Sequence, residues 1–353
     1  MCTGDCKTME RKQGYPNLDA AKFLCALLVV VIHTSPLQNA SAVAHFYVND
    51  VITRVAVPLF FAMSGFLFFR KLDFADGKIA RTERNFTCIV KATRKNVLLY
   101  ITWSLIYLVV VLPDWYRTGW WGLHAVKDWL YSLLFSGAYY HLWYLLALIV
   151  ALPALYVLLM FIPLERFWLV GAGLWVLECL TYSYSWVGFD QIPLVMTIGS
   201  RMPVVFDALF RAVPLLSIGA VCAGNQPKRT SVGLCVGAFL LCAAEASLLY
   251  FFSPNESQFS YLFATPLLTC TLLNVLVYGR QITLPNPWPS RLRDMSLLIY
   301  CLHPMICYFF REWGFPSGIP FWLAVTVTVV AVAGIRARLK EQRFARCQLK
   351  NQS

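Results

Sequence analysis

Asn17-Leu-Asp-Ala-Ala-Lys22-Phe-Leu-Cys-Ala-Leu-Leu-Val-Val-Val-Ile-His33 is an apolar run with a lysine near its start and a histidine at its end. At about 100° per helical residue, this spacing turns the chain three times plus roughly 20°, so Lys22 and His33 share one helical face. A rise of ~1.5 Å per residue puts them ~16 Å apart along the axis, about half the thickness of a bilayer core. A cation near one membrane boundary and an imidazole deep in hydrocarbon are both costly. That cost marks the two as candidate functional residues.

The rest of the chain has the same character. Hydrophobic residues make up 59% of the 353 and charged residues only 14%, far from the balance of a soluble domain. Apolar stretches of about 16 to 20 residues recur near 18–37, 48–69, 97–113, 142–162, 167–181, 204–221, 232–252, 261–278, 295–310 and 319–335, which predicts about ten transmembrane helices. The fifth is short and the second contains Arg54. Pro113, Pro163, Pro203, Gly224–Pro227, Ser253–Asn255 and Pro285–Pro289 punctuate the gaps. The fold class is therefore an all-α polytopic membrane protein.

Charge gives this topology a direction. Lys7, Arg11 and Lys12 precede the first span, and Arg70, Lys71, Lys78, Arg81, Arg84, Lys91, Arg94 and Lys95 lie between the second and third. Further cations follow spans six (Lys228, Arg229), eight (Arg280, Arg291, Arg293) and ten. Segments 38–48 and 253–260 contain no Lys or Arg. The positive-inside rule then places both termini in the cytoplasm, which requires an even number of spans. Segment 1–17 reads as a cytoplasmic lead, 18–335 as the membrane domain, and 336–353 as a basic cytoplasmic tail attracted to anionic lipid.

The net charge of +12 thus belongs to topology. With no basic module interleaved with aromatics, nucleic acid is excluded as a partner. Most of the 12 cysteines fall inside spans as small apolar residues, Cys2 and Cys6 sit on the reducing side, and no metal-ligand spacing is present. Asn39 and Asn255 begin glycosylation sequons that matter only in a eukaryotic secretory pathway. Ala40-Ser41-Ala42 imitates a signal-peptidase site, but the run before it is longer than a usual signal core, so the first span reads as uncleaved.

Several motifs resemble the acyltransferase-3 family of integral membrane acyltransferases. These are Leu18-Asp19-x-x-Lys22-x10-His33, Pro58-Leu-Phe-Phe-Ala-Met-Ser-Gly65-Phe-Leu, Lys91-x-x-Arg94, His141-Leu-Trp-Tyr144 and Ser296-Leu-Leu-Ile-Tyr300-Cys-Leu-His303-Pro304. The similarity runs from about 17 to 335. Lys22 and Lys91 stand where many polysaccharide-modifying members have Arg, and Pro58 where they have an acid. Arg54-Val-Ala-Val-Pro58 looks more like the branch containing an enterobacterial common antigen O-acetyltransferase and the membrane half of vancomycin-resistance serine racemases. The resemblance implies a multi-pass enzyme of a bacterial cell membrane, with ten spans and no permanently bound cofactor. It would move an acyl group, acetyl above all, from cytoplasmic acyl-coenzyme A to an extracytoplasmic or lipid-linked hydroxyl such as that of a surface glycan.

That chemistry can be laid against the residues. A hydroxyl nucleophile needs a base with a pKa near working pH, which an imidazole provides, so His33 is the candidate general base, with a packed, hydrogen-bonded histidine as the alternative. Lys22 either touches the pantetheine or phosphate end of coenzyme A, or snorkels and pairs with Asp19. Lys91 and Arg94 are candidate phosphate contacts within a cluster that also serves topology. Arg54 either holds the acceptor or the tetrahedral oxyanion, or pairs with a membrane carboxylate, Glu178 and Glu245 being the deep acids. His141, Trp143, Tyr144 and His303 are candidate acceptor contacts. Their alternatives are interfacial anchoring for the first three and a proline kink at Pro304 for the last. Ser64-Gly65 reads as a close helix contact, with a serine nucleophile as the lesser alternative. A different class, a small-metabolite or amino-acid transporter, shares the span count and the buried charges, although the two halves show no matching interrupted helices. A non-enzymatic anchor or sensor would have no use for such costly residues.

Overall fold

A computed structural model describes residues 14–224, 230–253, 259 and 261–350. Cys2, Cys6, Lys7, Arg11, Lys12, Lys228, Arg229 and the Asn255 sequon lie outside the described residues. Twelve helices are present among those described: α1 (Pro16–Thr34), α2 (Ala42–Phe69), α3 (Glu83–Thr118), α4 (Leu123–Phe135), α5 (Trp143–Phe161), α6 (Leu164–Thr181), α7 (Pro193–Arg201), α8 (Pro203–Gly224), α9 (Val232–Phe252), α10 (Thr265–Tyr278), α11 (Trp288–Glu312) and α12 (Ile319–Lys350). A short antiparallel hairpin, Phe74–Ala75 with Lys78–Ile79, joins α2 to α3.

Each of the ten apolar stretches forms a helix. Seven helices are long and apolar enough to cross a bilayer: α1, α2, α3, α5, α8, α9 and α12. The other three fall short for identifiable reasons. Helix α10 has 14 residues, α6 carries Glu165, Arg166 and Glu178, and α11 has charges at both ends. Helices α4 and α7 are additional pieces, exposing Leu123, Leu134 and Leu194. Leu98 and Leu105 of α3, Leu240 and Leu248 of α9, and Val327 of α12 also point outward, as expected of a lipid-facing surface where water is not the solvent.

Helix α3 starts well before its apolar part. Segment 83–95, read from sequence as part of a basic loop, is helical because Thr82 caps it, its hydroxyl accepting the Asn85 amide N–H at 3.2 Å. The buried Asn85 side chain donates to the carbonyls of Asp73 (2.9 Å) and Ala80 (2.8 Å) and accepts from Asp73 N–H, which ties the hairpin to the helix. Lys91 and Arg94 are therefore held on a regular helix.

Two glycines set the bundle's tightest crossing. A Cβ on Gly219 of α8 would meet the Ala62 carbonyl oxygen at 2.1 Å, and one on Gly65 of α2 would meet the Leu216 carbonyl oxygen at 2.2 Å. Close backbone approach of this kind is how membrane helices gain packing when lipid is as apolar as their side chains. Helix α1 lies between this core and α11–α12, contacting α2, α10, α11 and α12.

Candidate functional site

The two ends of α1 face two different environments. Around its N-terminal half, α1, α2, α3, α5 and the start of α11 enclose a cavity of about 660 Å³. Lys22, Arg70, Lys71, Lys91, Lys95 and Arg293 line it, against Asp19 as the acid. Arg293 grips Asp19 through two hydrogen bonds of 2.8 and 2.6 Å, and the charge of that carboxylate also reaches Lys22. Lys22, Lys91 and Lys95 make no ion pair among the described residues. Arg70 lies over the Tyr15 ring, 4.6 Å from its centroid. Unpaired ammonium groups around a cavity favour an anion with several charges.

Lys91 and Lys95 are one turn apart and face the cavity together, whereas Arg94 is not among its lining residues. The helical register of α3 explains the split, and the i,i+4 spacing of the two lysines was the available signal for Lys95. Arg70, Lys71 and Arg293 also join the site without having been singled out from sequence.

At the other end of α1, three of the chain's five histidines meet. His33 and His303 stack with centroids 5.2 Å apart, His141 lies 5.8 Å from His303, and Tyr140 lies 4.9 Å from His33. Tyr107, Tyr139 and Tyr300 complete the wall. The Nδ1 of His303 sits 3.0 Å from the Ile299 carbonyl, a contact that requires Nδ1–H and leaves the lone pair on Nε2. Among the described residues that Nε2 is buried with no partner at hydrogen-bond geometry, and the same holds for both ring nitrogens of His141, although the Cys301 and Tyr300 backbone lies close to these rings. An unpaired buried polar group costs on the order of 1–3 kcal/mol, which singles this cluster out as a candidate site for polar atoms. The Tyr300 hydroxyl donates to the His141 carbonyl, fixing that backbone.

Arg54 lies in an irregular part of α2, a π-helical turn at Phe46–Ile52 followed by a 3-10 turn at Thr53–Val55. Pro58 has no N–H to offer the Arg54 carbonyl, which accounts for the loss of regular α geometry just before it. The guanidinium pairs with Asp50 at 2.7 Å, so its carboxylate partner is local and is neither Glu178 nor Glu245. Its Nε is buried and has no partner among the described residues. Arg54 and Arg311 are the cations whose charge acts on His33, and Arg311 also donates to the His33 carbonyl at 3.3 Å.

His141 and Tyr144 turn into the bundle: His141 is 2% exposed, and the Tyr144 hydroxyl is 3.2 Å from the Ser64 hydroxyl. Trp143 turns elsewhere, to Phe61 and the Arg211 guanidinium. Arg211, which the sequence reading missed, pairs with fully buried Glu178 at 2.7 Å and with Asp207 at 3.1 Å. Its Asp207-x-x-x-Arg211 spacing inside an apolar stretch was the visible signal. Glu245 accepts from Tyr184 and from the N–H groups of Phe263 and Ala264, capping α10. Among the described residues no group of three or more His, Cys, Asp or Glu is placed to hold a metal ion.

A family profile described as an acyltransferase domain matches residues 15–336. The chain is similar to an amino-acid racemase of Enterococcus faecalis, 29% identical over 83% of this chain and 41% of that one. It is also similar to a serine/alanine racemase of Enterococcus gallinarum, 28% identical over 81% and 40%. The chain thus spans about two fifths of the length of these curated relatives. No solved structure matches it.

Proposed function

Because the chain belongs to the acyltransferase-3 family, a family of membrane acyltransferases, we propose that it carries an acetyl group from cytoplasmic acetyl-coenzyme A to a hydroxyl on the far side. The acceptor is an extracytoplasmic or lipid-linked molecule such as a surface glycan. The observation that carries this reading is the single helix α1, with Lys22 at a basic cavity and His33 in a cluster of imidazoles. In this reading all ten apolar helices cross the membrane, and the basic end of the bundle is cytoplasmic.

Lys22, Lys91 and Lys95 hold the phosphates, and Arg94 adds to the positive surface nearby. The ~16 Å between Lys22 and His33 is on the scale of a pantetheine arm, so the thioester reaches toward His33. His33 takes the acceptor's hydroxyl proton as the oxygen attacks the thioester carbonyl. The C–O bond forms, the C–S bond breaks, and the departing thiolate receives the proton. Arg54 faces the oxyanion or the acceptor. His141 and His303, with their inward-facing nitrogens, hold acceptor hydroxyls, and Tyr144 shapes the wall behind them, while Trp143 backs Tyr144 from the Arg211 side.

Purified protein supplied with labelled acetyl-coenzyme A should cleave or transfer the thioester, and His33→Ala should abolish this. Wild-type protein that neither binds nor turns over the thioester contradicts the reading. A second reading, solute transport, draws on the buried Glu178–Arg211–Asp207 group, with an amino acid as the solute because the relatives are named amino-acid and serine/alanine racemases. Uptake of an amino acid into vesicles without thioester turnover would favour it.

A further inference from the structure

The donor cavity and the histidine cluster are separated by a short aromatic barrier. Ser64 and Leu67 line the cavity, and Phe60, one turn before Ser64, continues the same stripe of α2 upward. All three keep partial exposure, while Leu59, Phe61, Met63 and Phe66 around them are buried. Seven residues of helix at ~1.5 Å each carry this stripe ~10 Å from Leu67 to Phe60. Tyr144 of α5 leans across it. Its hydroxyl meets Ser64 at 3.2 Å, and its ring lies 6.1 Å from Phe60 and 5.6 Å from Tyr300. Tyr300 in turn touches His141, which touches His303 and so His33. On α1, Leu18 and Lys22 line the cavity, and the next residue up the same face is Cys25, 3% exposed and within electrostatic range of Tyr144.

We propose that Tyr144, latched to Ser64, is the ceiling of the donor cavity and sets the size of the acyl group that can reach the histidines. The inference rests on the acyl-transfer reading. A thioester carbonyl climbing the stripe must pass between Tyr144, Phe60 and Cys25. A two-carbon acyl group adds little beyond the carbonyl itself, whereas each further methylene must find room against the Tyr144 ring. Exclusion by a rigid apolar wall discriminates chain length on the order of tenfold or more per fitted group. Tyr144 is therefore a specificity-determining residue rather than only part of the acceptor wall.

The test uses the full chain in nanodiscs, with two readouts. Turnover of acetyl- and octanoyl-coenzyme A is compared in wild type, Tyr144→Ala and Tyr144→Phe. Modification of native Cys25 by an anionic thiosulfonate is followed by peptide mass spectrometry, with buried Cys301 as the folding control. Tyr144→Ala should raise the octanoyl-to-acetyl ratio about tenfold and expose Cys25, leaving Cys301 protected. Tyr144→Phe, which keeps the ring, should keep the wild-type ratio. An unchanged ratio together with a Cys25 still protected in Tyr144→Ala overturns the proposal. Absence of thioester turnover in every form defeats the acyl-transfer reading instead, and the Cys25 readout then decides the barrier by itself. Exposed Cys25 that excess free coenzyme A fails to shield supports the barrier but overturns the assignment of the cavity to the donor.

Discussion

His33 on α1 and His303 on α11 lie ring over ring, with centroids 5.2 Å apart and planes 27° from parallel. The i−4 hydrogen bond from His303 to Ile299 fixes which nitrogen of that ring keeps its lone pair. One imidazole is thus oriented by backbone while the other makes no ring hydrogen bond among the described residues. That division of labour suits a fixed ring that positions and a free ring that takes a proton. His33→Ala should lower thioester turnover by about 10²- to 10⁴-fold, the usual contribution of a positioned base. His303→Phe, which keeps a ring but removes the nitrogens, should lower it less, and the double variant should be no worse than His33→Ala.

The basic cavity makes a prediction about binding. Lys91→Glu should raise KM for acetyl-coenzyme A about tenfold, the scale of one charge-assisted hydrogen bond, with a smaller change in kcat. Arg94→Glu should change KM less, because Arg94 lies outside the lining. Steady-state kinetics with each variant check both, and an equal effect at the two positions would show that only the general positive potential matters.

Backbone contact between α2 and α8 predicts a stability effect remote from any chemistry. Gly219→Val should destabilise the protein by about 3 kcal/mol or more, because the new side chain enters space held by the Ala62 carbonyl. Gly173→Ala, where an added Cβ meets nothing within 4 Å, should leave thermal stability intact or slightly improved. Thermal unfolding of the two variants in detergent gives the comparison.

Buried charge predicts a fourth behaviour. Arg211→Met leaves Glu178 fully buried without its cation and should cost about 3–5 kcal/mol. Adding Glu178→Leu should recover a large part of that loss, since the uncompensated carboxylate is then gone. Failure of the double variant to recover, measured by the same melts, would mean that the pair is needed for more than mutual neutralisation.

Much of this architecture is readable from the chain because membrane helices carry their signal in continuous apolar runs. Every such run is helical, from Leu18 to the stretch ending at 335. Lengths and irregularities were harder to read. The capped extension of α3 to Glu83 depends on Asn85 reaching the hairpin, and the π-helical turn before Arg54 depends on neighbours as well as on Pro58. Convergence was the least legible feature. His33, His141 and His303 were each visible as a costly polar residue in an apolar run, yet nothing local says that α1, the turn before α5, and α11 bring them together. Arg211 went unnoticed for a related reason: its partner Glu178 lies on another helix, and only the pairing makes its place intelligible. Trp143 and Tyr144 are adjacent in sequence, yet helical phase sends one to Arg211 and the other to Ser64.

The central claim is vectorial: the donor binds at the Lys22 end of α1, and the acceptor receives the group at the His33 end. The most direct measurement uses proteoliposomes in which the protein's orientation has been determined, with labelled acetyl-coenzyme A supplied to one face and a hydroxyl-bearing glycan to the other. The account predicts ester label on the glycan only when acetyl-coenzyme A is on the face carrying Lys91 and Lys95. Equal consumption of acetyl-coenzyme A from either face, or label confined to molecules on the donor's own side, would contradict it.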